Sequence, residues 1–338
     1  MQSADLEVLR AALGWLEQGA GVTLVTVART WGSSPRPPGS LLAMHADGRL
    51  VGSVSGGCIE DDLLLRMREQ ATPAASPGVL SYGVTAEQTS RFGLPCGGRL
   101  ELVVETLAQA EQLKEIVSAM HARGLIARRV CLQTGEVSLH PVRRDQTFSY
   151  DGRTLVKVFG PVWRLLIIGA GQLSKYLAEM ALALDYDVTV CDPREEYARA
   201  WQVEGVPLDA RMPDDAVRAL AADSRSVVVA LTHDPKLDDM ALMEALGSQA
   251  FYVGALGSRA NNARRRARLA TLGIDESTLS RLHGPVGLPI GSRTPAEIAV
   301  AILAELTAVR RGVRLQAMDA DTNATAAPQD IAGVAGPS

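Results

Sequence analysis

The stretch from Trp163 to Arg194 restricts the fold more than any other part of the chain. Trp163-Arg-Leu-Leu-Ile-Ile168 is a short apolar run of the kind a strand buried on both faces requires. Gly169-Ala-Gly171 interrupts it, and a helical pattern follows through Tyr176, Leu177, Met180 and Leu184. A second β-branched run, Asp187-Val-Thr-Val-Cys191, ends at Asp192-Pro193-Arg194. Strand, glycine turn, helix and strand in this order predict a parallel βαβ unit of the Rossmann kind. In such a unit Gly169 permits the tight turn, and Gly171 lets a pyrophosphate approach the helix N-terminus. Asp192 stands where a ribose-binding carboxylate belongs. The third glycine position holds Ser174. The residues therefore fit either a dinucleotide site or a Rossmann-type domain that uses no nucleotide.

The alternation continues downstream. Ser226 to Leu231 reads as a strand ending in Thr232-His233-Asp234-Pro235-Lys236, and Met240 to Leu246 as a helix. Ala250 to Val253 reads as a strand ending in Gly254-Ala-Leu-Gly257-Ser258-Arg259. Ligands of open α/β sheets bind outside the carboxyl ends of the strands. His233, Asp234, Lys236, Ser258 and Arg259 all fall there. His233 suits proton transfer near neutral pH, and Lys236 or Arg259 suits a phosphate. The same side chains are equally at home on an ordinary surface. The helix Asn261 to Ala270 carries Arg264, Arg265, Arg266 and Arg268. With a net charge of −4, these predict a solvated or interface face, not a nucleic-acid patch. Thr294-Pro-Ala-Glu297 is a capping box that opens a last helix striped with Ile298, Ile302, Leu303 and Leu306.

Gly160-Pro161 marks an expected boundary, dividing the chain into residues 1–159, residues 160–315 and a disordered tail, 316–338. The first part reads as α+β. A helix through Leu6, Leu9, Leu13 and Leu16 precedes a strand, Val22 to Ala28. A proline-stiffened loop then fixes Arg36. Arg36 is suited to clamping an anion bidentately, or is simply an exposed charge. Asp47-Gly48 predicts a hairpin from Ser40 to Val54. That hairpin runs into Ser55-Gly56-Gly57-Cys58, where glycine allows a sharp turn and close approach of a bound group. Cys58 opens a helix, whose free N–H groups favour a thiolate, while Glu60, Asp61 and Asp62 pull the other way. Gly93-Leu-Pro-Cys96-Gly97-Gly98-Arg99 repeats the setting. Two Gly-flanked cysteines predict one site for a thiol-handling ligand; two tight turns with buried thiols fit as well. Cys131 reads as a packing thiol. The four cysteines form neither a CxxC pair nor a zinc spacing. The N-terminus lacks the form of a signal peptide, and no apolar run reaches spanning length. These features predict a cytoplasmic protein with free thiols and no membrane or nucleic-acid partner.

Taken in order, Gly52 to Glu60, Leu94-Pro-Cys96-Gly-Gly98, the Rossmann turn, Thr232-His-Asp234 with Lys236, Gly254 to Arg259, Pro285 to Gly291 and Thr294 to Ala299 form a specific set. The set resembles the XdhC/CoxI family, accessory proteins of molybdenum hydroxylases such as xanthine dehydrogenase. The resemblance implies a maturation factor. Such a protein binds the molybdenum cofactor (molybdopterin), holds it while a cysteine desulfurase helps to install its terminal sulfur, and delivers it to the apo-hydroxylase. It also implies that Cys58 and Cys96 contact the metal or relay sulfur. Arg36, Ser55, Gly56, Gly57, Gly97 and Gly98 would then hold pterin or phosphate, and Gly169, Gly171 and Asp192 a nucleotide or the cofactor's phosphate. Two alternatives belong to other classes. One is an NAD(P)-dependent oxidoreductase working through His233 and Lys236, and the other a non-catalytic scaffold bridging desulfurase and hydroxylase. The alanine-rich apolar helices offer surfaces for a homodimer.

Overall fold

A computed structural model describes residues 4–32, 36–69, 77–83, 99–142 and 146–313. The expected tail lies outside them. The chain is mixed α/β: an α+β first half that carries the Gly-Cys turn, followed by a doubly wound parallel sheet.

The first half is built on a five-stranded antiparallel sheet of order β3-β2-β1-β5-β4. Its strands are β1 (Val22–Trp31), β2 (Leu41–His45), β3 (Leu50–Gly52), β4 (Gly78–Tyr82) and β5 (Arg99–Leu107). Side chains alternate between faces with the period of two that a pleat imposes. Val22, Leu24, Leu41 and Ala43 bury one face against α1 (Ala4–Glu17) and α3 (Glu111–His121). Val25, Val27, Leu42 and Met44 bury the other against Ile59 and Leu63 of α2 (Cys58–Glu69). The Asp47-Gly48 hairpin forms with Ala43 opposite Val51. Gly52 closes it at φ +91°, where a Cβ would sit 2.3 Å from the Leu41 carbonyl oxygen. A second antiparallel sheet, of order β7-β6-β9-β8, comprises β6 (Ile126–Cys131), β7 (Val137–Pro141), β8 (Ser149–Tyr150) and β9 (Thr154–Phe159). It is joined to the first through Ala28, Val103, Val130 and Leu155. A buried bidentate pair also links them, Arg128 donating to Glu105 at 2.8 and 3.0 Å.

The second half is a six-stranded parallel sheet of order β12-β11-β10-β13-β14-β15. Its strands are β10 (Trp163–Ile168), β11 (Tyr186–Cys191), β12 (Leu208–Asp209), β13 (Ser226–Ala230), β14 (Tyr252–Ala255) and β15 (Leu282–His283). Leu165 and Ile167 of β10 join the core under α4 (Gln172–Ala183) and α10 (Pro295–Arg310). Leu166 and Ile168 join the core under α6 (Pro213–Leu220), α7 (Pro235–Gly247) and α8 (Arg259–Thr271). A strand buried on both faces has no polar side to show, which is why Leu165 to Ile168, past Arg164, is uninterrupted. Strand order reverses on the two sides of β10, so the turn at Gly169 opens at the topological switch point. Arg123, between α3 and β6, donates to the Val188 carbonyl and pairs with Asp187, near the amino end of β11. Among the described residues no helix is long and apolar enough to cross a membrane.

Candidate functional site

Residues 53–57, between β3 and α2, wrap around a carboxylate of their own chain. Glu60 Oε1 accepts from Ser53 Oγ (2.7 Å), Val54 N (2.9 Å), Ser55 N (2.9 Å) and Gly56 N (3.2 Å). Its Oε2 accepts from Gly57 N (2.9 Å) and from Ser55 Oγ. Positive φ at Gly56 (+96°) and Gly57 (+145°) turns successive N–H groups to one side, an arrangement that suits an anion. Burial alone would raise the Glu60 carboxyl, but the hydroxyls and N–H groups of Ser55, Ser53 and Val54 outweigh it and hold the group far below the usual carboxylate range. Glu60 is the third residue of α2, the position from which a glutamate reaches back to the N-cap.

This changes the sequence reading of the turn. The Gly57 N–H is donated to Glu60, and the Ile59 N–H, one of the helix-opening donors expected to favour a thiolate at Cys58, is donated to Ser55 Oγ. Asp62 is likewise committed, accepting from Arg66 Nε at 2.6 Å and from the Tyr82 hydroxyl at 2.9 Å. The outer side of the turn stays open, since a Cβ on Gly56 or Gly57 would meet nothing within 4 Å. Ser55, Gly56, Gly57 and the backbone of Cys58 thus form one rigid turn with one free face; the Cys58 side chain lies outside what the structure describes. Cys96, Gly97 and Gly98 lie outside the described residues. Arg36 is exposed on its loop.

The remaining candidates lie along the carboxyl edge of the parallel sheet. Gly169 has φ +105°, and a Cβ there would sit 3.0–3.1 Å from Thr232, so the turn after β10 closes against the turn after β13. Gly171 caps α4 without a side-chain bond, and nothing lies within 4 Å of its Cβ position. Ser174, in place of the third glycine, is buried in α4. Asp192 is fully buried and accepts from Ala170 N at 2.8 Å, so its carboxylate faces the glycine turn instead of standing open to a ribose. Arg194 grips it from outside. Together these contacts hold the Asp192 carboxyl below its ordinary value against the opposing effect of burial. His233 is exposed with φ +63°, a left-handed conformation uncommon outside glycine but commoner for His than for most side chains. Asp234 caps α7 by accepting from Lys236 N at 2.9 Å, and Ser258 caps α8 by accepting from Asn261 N at 3.2 Å. Lys236 and Arg259 are exposed in the first turns of those helices.

A buried network that the sequence reading missed ties these loops together. Asp238, 1% exposed, accepts from Thr232 Oγ1 (2.7 Å) and from Arg265 Nη2 (3.1 Å). Arg265 Nη1 also donates to the Leu256 carbonyl (2.9 Å) and to Asn262 Oδ1 (2.6 Å), and Asn262 Nδ2 donates to the Gly257 carbonyl (2.9 Å). The arginine-rich helix is therefore not chiefly a solvated face. Arg265 staples the two loops, Arg268 pairs bidentately with Asp239, and Arg266 donates to the Leu279 and Leu282 carbonyls. Arg264 is exposed, and the Arg268 side chain keeps 42% of its surface open beside its pairing with Asp239. The signal available in sequence was Asp238-Asp239, acids set where a helix turns its buried side inward. Among the described residues no group of three or more His, Cys, Asp or Glu side chains could hold a metal ion.

Fold and site together define a two-part protein: an α+β half presenting a rigid Gly-Gly-Cys turn, joined to a Rossmann-type half. The sequence profile of the XdhC and CoxI family matches residues 15–83, and that of the XdhC Rossmann domain matches residues 165–306. The chain belongs to the XdhC/CoxI family. Its relatives include the molybdenum cofactor insertion chaperone PaoD of Escherichia coli, 27% identical over 312 residues, covering 90% of this chain and 88% of that protein. A probable xanthine dehydrogenase component from Bacillus subtilis is 23% identical over 324 residues, 88% of this chain and 96% of the relative. A crystal structure from Bacillus halodurans, described as a xanthine dehydrogenase, shares the fold with a TM-score of 0.68. It is 23% identical and covers 93% of this chain and 98% of that one.

Proposed function

We propose that this protein carries the molybdenum cofactor and inserts it into a xanthine dehydrogenase-type hydroxylase. The observation that carries the reading is the glutamate-locked turn, open at Gly56 and Gly57, that delivers the chain into Cys58. A cofactor with a reactive metal–sulfur centre needs a holder that is rigid before it arrives. Family membership and likeness along both halves to an insertion chaperone support the same conclusion.

In this reading the cofactor is cargo. Cys58 contacts its metal or relays sulfur, with Cys96 as second thiol and a cysteine desulfurase as sulfur source. Arg36, Ser55, Gly97 and Gly98 hold the pterin side. The second half binds a nucleotide or the cofactor's phosphate at Gly169 and Gly171, with Lys236, Ser258 and Arg259 as further anion holders and His233 and Asp234 beside them. Residues 1–159 and 160–315 act as separate domains of a cytoplasmic homodimer. The test is transfer: cofactor-loaded protein is mixed with apo-hydroxylase and the restored activity is measured. Wild type restores it, and Cys58→Ala restores at least about tenfold less, the scale on which loss even of a metal ligand's supporting partner acts. Equal transfer by Cys58→Ala, or steady NAD(P) turnover indifferent to that substitution, would contradict the proposal.

A further inference from the structure

The hydrogen-bond count at the end of β11 decides what kind of ribose this edge can read. A carboxylate offers about four acceptor positions. Those of Asp192 are all in use. Its Oδ1 accepts from the Arg194 backbone N–H (3.1 Å) and Nε (2.9 Å), and its Oδ2 from Ala170 N (2.8 Å) and Arg194 Nη2 (2.8 Å). An unmodified ribose diol needs an acceptor at this place. Here it would have to break a buried charge-assisted bond to obtain one.

Arg194 is in the opposite condition. Its side-on pairing engages Nε and Nη2 and leaves Nη1 without a hydrogen bond among the described residues. The guanidinium lies 3.9 Å from the centre of the Tyr197 ring, and the side chain remains 26% exposed. A planar cation, fixed on two sides and with donors to spare, is the group that recognises phosphate best. Through Asp192 it is tied to the Gly169–Gly171 turn itself. Asp234 is a further carboxylate whose charge acts on Arg194; its Oδ1 is occupied by the α7 cap.

We propose that the nucleotide groove of the second half takes a nucleotide whose ribose bears a phosphate, and that Arg194, held by Asp192 and Tyr197, reads that phosphate. This rests on the reading that the Gly169–Gly171 turn binds a nucleotide, and is independent of whether the first half carries a pterin. The full chain is titrated calorimetrically with NADP+ and NAD+, which differ only in that phosphate. NADP+ is expected to bind at least about tenfold more tightly, as expected when a charged partner finds or lacks its contact. Arg194→Gln should bring NADP+ down to the NAD+ level, and Arg194→Lys, which keeps the charge but not the fork, should fall between. Equal affinities, no binding of either, displacement of NADP+ by equimolar inorganic phosphate, or a preference that survives Arg194→Gln would overturn the inference. The wild-type comparison needs no variant, so misfolding of a mutant cannot rescue it. Pterin carriage without NADP+ preference would sink this inference and leave the carrier reading standing; the converse result would do the reverse.

Discussion

Glu60 is a side chain whose charge is used internally. A buried carboxylate that takes six hydrogen bonds, four of them from backbone N–H groups, replaces water around a turn that would otherwise expose those donors. Glu60→Gln keeps the shape but turns an amide NH2 toward N–H donors. We expect a loss of about 2–4 kcal/mol in urea unfolding at neutral pH. The pH dependence has a definite sign. The folded carboxyl lies below its ordinary value of 4.5, so its contribution is complete above that pH and drains away as the solution is acidified. Wild type should therefore lose more stability than Glu60→Gln between about pH 5 and pH 3. Equal slopes would show that Glu60 is not charged in the native turn. Two cysteines make a second residue-level contrast. Cys191 is fully buried, its thiol pushed up to about 12 chiefly by burial, and its Sγ donates to the Arg211 carbonyl. Cys131, read from sequence as a packing thiol, is part-exposed, and the Thr134 hydroxyl draws its thiol down. Peptide mass spectrometry after brief iodoacetamide treatment of the native protein should find Cys131 modified well before Cys191.

At the scale of elements, the loops after β13 and β14 are one mechanical unit. Asp238 and Arg265 are 1% and 6% exposed, and burial pushes the Asp238 carboxyl up while Thr232 and Arg265 hold it down. Arg265→Met would strand that carboxylate, at a cost of about 3–5 kcal/mol. Hydrogen exchange should quicken in residues 232–238 and 256–262 together. Quickening in one loop only would show that the network does not join them. How much of this was legible follows from where each signal resides. β10 and the last helix could be read because an uninterrupted apolar run and a Thr294–Glu297 capping box are local signals, and both boxed bonds form. The arginines of α8 were misread because composition reports charge, whereas their partners, Asp238, Asp239 and the Leu256 and Leu279 carbonyls, lie 9 to 29 residues away in sequence. Asp192 was placed correctly at the end of its strand, and the signal that Arg194 would fill it was local, an Asp accepting from the N–H two residues on, as at Asp47-x-Arg49 and Asp209-x-Arg211. Glu60 could have been found, because a glutamate at the third helical position after a turn is a known cap.

Over the whole molecule, the two halves bring different chemistry. The first offers a rigid turn leading into a cysteine, and the second a carboxyl edge with Arg194, His233, Lys236 and Arg259 along it. The family likeness runs through both, from residue 15 to residue 306 with a gap between the two profiles. That extent favours a carrier that needs both halves over a redox enzyme that needs only the second. The most direct measurement is mass spectrometry of the small molecules released by heat from protein purified out of cells making the cofactor. Wild type should release a molybdopterin in near-stoichiometric amount, and Cys58→Ala about a tenth as much or less. Protein that releases no pterin, or a Cys58→Ala variant that releases as much as wild type, would contradict the account.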